Sequence, residues 1–149
     1  MSLEKIIMEA IKTAMKEKNQ QALAALRAVK SELILLKTSG SLSELNETDE
    51  NKILQKLVKQ RKDSASIFSE QNREDLAIPE LEQADIISQF LPKQMSGNEV
   101  EIVVAEIISK TGANSMKDMG KVMGLTNSQL AGKADGKTIS GIVKKMLSN

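Results

Sequence analysis

Residues 99–110 read EVEIVVAEIISK. The run of β-branched residues suits a strand, so this stretch decides between a fold that contains a sheet and one that does not. A half-buried strand alternates apolar and polar side chains, whereas a helix repeats them about every 3.6 residues. Val100, Val103, Val104, Ile107 and Ile108 share one side of a helical period, and Glu101 and Glu106 fall on the other. The spacing predicts an amphipathic helix. Ser96 or Asn98 stands where its N-cap belongs, and Gly112 at the position after its last turn, where a left-handed residue closes a helix.

Just upstream, FLPKQMSGNEV interrupts the helical pattern, because Pro92 disfavours a helical Leu91. This predicts a boundary between an N-terminal helical domain, residues 1–92, with about four helices, and a small three-helix C-terminal domain, residues 93–149. The N-terminal faces are Leu3, Ile6, Ile7, Ala10, Ala14 and Met15; then Leu23, Leu26, Val29, Leu33 and Leu36; then Ile53, Leu54, Leu57, Val58, Ala65 and Phe68; then Leu81, Ala84, Ile87 and Leu91. Thr38, Ser39, Gly40 and Ser41 stop the second helix, and SLSELNETDE reads as a polar loop with Asn46 or Thr48 as the next N-cap. Asn72 suits a left-handed turn, and Pro79 a first helical turn. The expected fold class is all-α.

Downstream, ANSMKDMGKVMGLTNSQLAGKADGKT, residues 113–138, holds three methionines, four lysines and four glycines. Ser115 to Asp118 looks like a capping box, with Asp in place of Glu at the fourth position. Met116, Met119 and Met123 recur as a core stripe, and Gly120 and Gly124 offer an edge that a neighbouring helix could approach closely. GKADGKT resembles a phosphate loop but fails as one: three residues separate Gly132 from Gly136, Ala131 stands where a glycine is needed, and no strand precedes it. The same residues suit a turn, with Asp135 capping a last helix over Thr138 to Leu147.

Composition narrows the chemistry. The 149 residues include no Cys and no His, which removes disulfides, thiolate chemistry, the usual triad and the commonest metal ligand. No metal or cofactor and no catalytic residue is expected. No apolar run nears the roughly 20 residues that span a bilayer, and the N-terminus mixes acids with lysines, unlike a secretory leader. A soluble cytoplasmic protein without a membrane role is the expectation.

Charge is near balance overall, at +1, but unevenly spread. From Lys110 to Asn149 seven lysines face two acids, Asp118 and Asp135, whereas residues 1–92 hold thirteen basic and fifteen acidic residues. A basic end on a near-neutral chain suits a polyanion partner as well as a solvated face. Phe68 and Phe90 are the chain's aromatic residues and neither follows Pro92, so bases cannot stack on rings there, and the segment has no Arg for bidentate contacts. RNA would be held by its backbone and shape. Lys117, Lys121, Lys133, Lys137 and Lys144 are the candidate phosphate contacts, with the turn at Gly136 offering backbone N–H groups to the same anion. A second basic cluster, Lys59, Arg61 and Lys62, lies beside Asp63 and is expected to pair along a helix surface.

The ordered segments KQRKDS, REDLA, FLPKQMS, TGANSMKDMGKVMG and GKADGKT resemble the YqeY proteins over essentially the whole chain, most sharply at residues 115–124 and 132–137. That family is related to the C-terminal end of the B subunit of tRNA-dependent amidotransferases. The resemblance implies an all-α protein with a three-helix tail, an accessory role in holding tRNA, and a carbon–nitrogen ligase label with glutamine as amido donor. It departs from the family's common pattern at Asn72, often Gly, and at Phe90, often Tyr. The residues and this resemblance together leave three readings open. One is a non-catalytic tRNA-binding accessory protein, and another is a protein–protein adaptor. The third is an amide-transfer enzyme, which would need Glu70, Asp75 and Lys93 to converge.

Overall fold

The structure is a computed structural model that describes residues 2–40 and 45–148. Among these residues all regular secondary structure is helical. The elements are α1 (Leu3–Lys16), α2 (Gln20–Ser39), α3 (Glu47–Glu70), α4 (Glu74–Ser88), α5 (Gly97–Thr111), a 3-10 turn (Met116–Asp118), α6 (Met119–Gln129) and α7 (Gly136–Leu147). EVEIVVAEIISK lies inside α5, so the helical period prevails over the strand preference of its β-branched residues. The chain divides into two compact units, Met1–Leu91 and Pro92–Asn149, each with its own apolar cluster.

Local chemistry places the helix ends. Asn46 and Asp49 cap α3 reciprocally, with Asn46 Oδ1 accepting from Asp49 N at 2.8 Å and Asp49 Oδ2 from Asn46 N at 3.4 Å. The alternative cap, Thr48, falls inside the helix. Ser96 Oγ accepts from Glu99 N at 3.2 Å to start α5, and Gly112 closes it with φ +69°. Asn72 turns the chain between α3 and α4 at φ +60°, and Lys18 does the same between α1 and α2 at φ +55°, a turn the side-chain pattern does not announce. α2 ends at Ser39; the loop residues 41–44 lie outside the described residues.

In the first unit α3 packs along α4, α4 against α2, and α2 against α1. The core joins Ile7 and Leu3 of α1, Leu26, Val29 and Leu33 of α2, Leu54 and Leu57 of α3, and Ala84 and Ile87 of α4. Three expectations need correction. Ile6, Met15 and Leu81 stay exposed, because each sits at the edge of its helix's apolar face rather than over a neighbour. Pro79 lies inside α4 rather than in its first turn, because the tight turn at Asn72 starts the helix at Glu74; the ring removes the N–H that would bond the Asp75 carbonyl. Phe68 is half-buried.

In the second unit Val100, Val104 and Ile107 of α5 meet Val122 of α6 and Ile139, Val143 and Leu147 of α7. The stripe that α6 buries is Val122 and Thr126, whose hydroxyl is satisfied by the Val122 carbonyl at 2.8 Å. Met119 and Met123 only flank it, and Met116 is exposed because its turn precedes the helix. The expected stripe is thus only partly realised: Met119 and Met123 pack against the core as half-buried residues, and Met116 does not. Gly120 and Gly124 also differ from expectation. Both are exposed, and among the described residues nothing lies within 4 Å of a Cβ added at either, so α5 and α7 of this unit do not use that edge.

Candidate nucleic-acid interface

The five candidate lysines stand on four stretches of the second unit. Lys117 is in the 3-10 turn, Lys121 in the first turn of α6, Lys133 in the connection between α6 and α7, and Lys137 and Lys144 in the first and last turns of α7. Because the Met116–Asp118 turn is not α-helical, Lys117 and Lys121 do not form the i, i+4 pair that a continuous helix would make. The reason is local: Ser115 Oγ accepts from Lys117 N at 3.4 Å, while the Asp118 carboxylate turns back to Asn114 N at 3.1 Å. The expected capping box is thus split between two residues and tightens the chain before α6 begins.

Lys137 and Lys144 are brought onto one ridge. Seven residues amount to almost two full turns, so the two side chains leave α7 on the same side, about 10 Å apart along its axis. That side borders the buried face of Ile139, Val143 and Leu147, and Gly141 sits between the two lysines, exposed. Lys121 lies on the side of α6 away from Val122. The 3-10 turn that carries Lys117 packs against both α6 and α7.

The connection that carries Lys133 is built more firmly than its sequence suggests. Gly132 is buried at φ +80°, a left-handed conformation that favours glycine. Gln94 Nε2 donates to the Gly132 carbonyl at 2.7 Å, and Met95 N donates to the Lys133 carbonyl at 2.8 Å. The segment after Pro92 therefore straps the turn and fixes the backbone of Lys133 while its side chain points to solvent. Sequence reading missed Gln94 and Gly132. The positive φ of Gly132 had a signal, a glycine inside a turn, but the strap needs two segments 38 residues apart to meet.

Electrostatically the two units differ. Among the described residues six ion pairs form, and five of them lie in the first unit: Lys12–Glu9, Lys37–Glu4, Lys56–Glu32, Lys59–Asp63 and Arg73–Asp75. The second unit has one, Lys145–Glu101 at 3.5 Å. Lys117, Lys121, Lys133, Lys137 and Lys144 are all exposed, and among the described residues none lies within ion-pair distance of a carboxylate. The Gly136 turn has a competitor. Asp135 Oδ1 accepts from Thr138 N at 2.6 Å, so the start of α7 already holds a carboxylate, as the capping expectation required. An added phosphate there would meet that negative charge.

Other candidates resolve as surface structure. Lys59 pairs with Asp63 at 2.7 Å, and Arg61 bonds Gln83 Oε1 and the Leu57 carbonyl, which accounts for two of the three cations in the KQRKDS cluster. Asp75 accepts two bonds from the Arg73 guanidinium, at 3.0 and 2.9 Å, and that hydrogen bonding holds its carboxyl below the usual carboxylate range. A general acid or base working near neutrality needs the opposite shift. No described helix is long and apolar enough to cross a membrane.

Fold and surface together define a small all-helical protein in two compact parts, the second of which has a lysine-rich surface with one ion pair among the described residues. The chain belongs to the YqeY family, whose model, described as Yqey-like protein, matches residues 4–147. It is also similar to the Altered inheritance of mitochondria protein 41, mitochondrial, of Clavispora lusitaniae, at 29% identity over 124 residues that cover 81% of this chain and 72% of that protein.

Proposed function

We propose that this protein is a non-catalytic accessory factor that holds tRNA, or another structured RNA, by its backbone. In this reading a four-helix N-terminal part, residues 1–92, carries a three-helix part, residues 93–149, that resembles the tail of a tRNA-dependent amidotransferase. Lys117, Lys121, Lys133, Lys137 and Lys144 are the phosphate contacts. Gly136 is left out of that set because of the Asp135 carboxylate beside it. A cytoplasmic setting belongs to the same proposal; the fungal relative's name places that protein in mitochondria.

The observation that carries the reading is the contrast in pairing. Of the nine lysines of α1, α2 and α3, four pair with a carboxylate, Lys12, Lys37, Lys56 and Lys59, whereas among the described residues none of these five does. Unpaired lysines keep their counterions in solution, and an RNA backbone gains by releasing its own when it meets them. With no ring to stack on, affinity rests on that release and should be strongly salt-dependent.

The test is fluorescence anisotropy of labelled tRNA against the full chain over a range of KCl concentrations. Five phosphate contacts give a log–log slope on the order of −4. Lys137→Ala with Lys144→Ala removes the two lysines that share a ridge, and should lower the magnitude of that slope by about two. Both side chains are exposed, so the melting temperature should hold. Salt-independent binding, or an unchanged affinity in the double variant, refutes the reading.

A further inference from the structure

The first unit contains a helix whose acids the ion pairs among the described residues leave mostly unmatched. α4, Glu74–Ser88, carries Glu74, Asp75, Glu80, Glu82 and Asp85, and no Lys or Arg. Among the described residues only Asp75 of these five meets a cation, Arg73. Asp85 lies toward the C-terminal end, where the helix dipole disfavours negative charge, and the last turn holds no basic residue to offset it. Among the described residues no three carboxylates converge as metal ligands do, so this charge is spread along a surface rather than gathered around an ion.

The same helix leaves aliphatic side chains outside. Its buried residues, Ala77, Ala84 and Ile87, serve the packing against α3 and α2. Ile78 and Leu81 remain 52% and 44% exposed. Glu74, Ile78, Leu81 and Asp85 follow one another at intervals of four, three and four residues. That is the spacing of a seam that meets another helix. It covers about 16 Å of helix. One exposed leucine is ordinary, and acids favour solubility. Neither fact explains an aliphatic pair in register between two unneutralised carboxylates.

We propose that this face of α4 docks a basic amphipathic helix of a partner protein. Two aliphatic side chains of the partner seat on Ile78 and Leu81, and a Lys or Arg at each end of its stripe meets Glu74 and Asp85. Charge complementarity selects the partner: Arg61 meets α4 at Gln83, on the side away from this seam, so a nucleic acid or an anionic membrane is repelled by the seam's carboxylates, whereas a cationic helix gains from both the seam and the field. This interface is independent of RNA binding by the second unit.

The probe is a fluorescein-labelled synthetic helical peptide of Ala and Lys with two Leu three residues apart, flanked on the same face by Lys. A control peptide has the same composition with the two Leu on opposite faces. Binding to the full chain is followed by anisotropy at low and moderate salt, with circular dichroism to check folding. The amphipathic peptide should bind at least about tenfold more tightly than the control, and Ile78→Ser with Leu81→Ser should bring it down to the control's level. Glu74→Lys with Asp85→Lys should weaken binding by about tenfold or more and flatten its salt dependence. If the double serine variant melts early, Leu81→Gln alone serves, with a several-fold loss expected. Equal binding of the two peptides, or binding indifferent to the seam variants, overturns the proposal. So does a concentration-dependent dimer, seen by light scattering, that the seam variants abolish, because the occupant is then a second copy of this chain.

Discussion

Gly124 and Gly141 stand in the middle of α6 and α7, are exposed, and have nothing within 4 Å of where a Cβ would lie. Neither needs a positive φ, so neither is required by its backbone. Glycine in a helix interior is less favourable than alanine by about 0.8–1.0 kcal/mol, and the gain from Gly→Ala at a compatible site is about 0.4–1 kcal/mol. The two positions share no neighbour, so their effects should add. The double variant Gly124→Ala with Gly141→Ala should therefore stabilise the second unit by about 1–2 kcal/mol. For a domain of this size that corresponds to a rise in melting temperature of roughly 4–16 °C, read by calorimetry on the full chain. An unchanged or lowered melting temperature would refute the premise that these two sites are open. It would mean that a neighbour outside this unit fills them. The same variant carries information about the RNA proposal, because Gly141 lies between Lys137 and Lys144. A methyl group there, on the ridge where the phosphates would lie, should leave affinity unchanged if only the ammonium groups make contact, and lower it if the backbone of α7 is approached closely.

Gly132→Ala forces an L side chain into the left-handed region at a buried site, and should cost about 1–2 kcal/mol in urea denaturation of the second unit. Asp135→Ala removes the cap of α7 at a cost of about 1 kcal/mol, whereas Asp135→Ser keeps a capping oxygen and should cost much less. If phosphates lie near Lys133 and Lys137, Asp135→Ser should also tighten RNA binding at low salt by removing a like charge. Asp75 titrates below the ordinary carboxylate value of about 3.9 because Arg73 hydrogen-bonds its charged form. A folded pKa below the unfolded one contributes stability above the unfolded value and loses it as the pH falls through the folded one. Both groups are solvent-exposed, so the visible effect is in the titration itself: carbon-13 NMR of Asp75 should show its midpoint move up in Arg73→Ala.

Much of the fold was legible because it follows from one period and a few polar residues at helix ends. Val104 and Glu106 could be sorted by angle alone, and Asn46, Ser96 and Asp135 marked starts through side-chain oxygens that reach only their own backbone. These are local effects, and sequence carries local effects well. The errors came where a face meets a neighbour at its edge. Leu81 and Met15 share an apolar stripe with buried residues, yet how far a stripe is covered depends on which helix lies over it. Gly120 and Gly124 failed for the same reason: a small-residue edge states that a close approach is possible, and the packing of α6 on α5 and α7 uses the other side of the helix.

The candidate site was legible only as residue types. The surplus of lysine after Lys110 is a property of the sequence, but its chemical meaning depends on whether carboxylates stand within reach, and that depends on the fold. Lys145 shows the difference. It is adjacent to Lys144 and identical to it in composition terms, yet the angle between successive residues turns it toward Glu101 on α5, while Lys144 shares its ridge with Lys137. The same logic applies to the acids of α4. The spacing of Glu74, Ile78, Leu81 and Asp85 is in the sequence, but that Ile78 and Leu81 stay uncovered depends on which side of α4 meets α2 and α3. A net charge of +1 conceals both surfaces. Opposite charges that are segregated instead of interleaved lose the short-range pairing that would stabilise the fold, so each surface should attract its own kind of ligand and respond to salt with it.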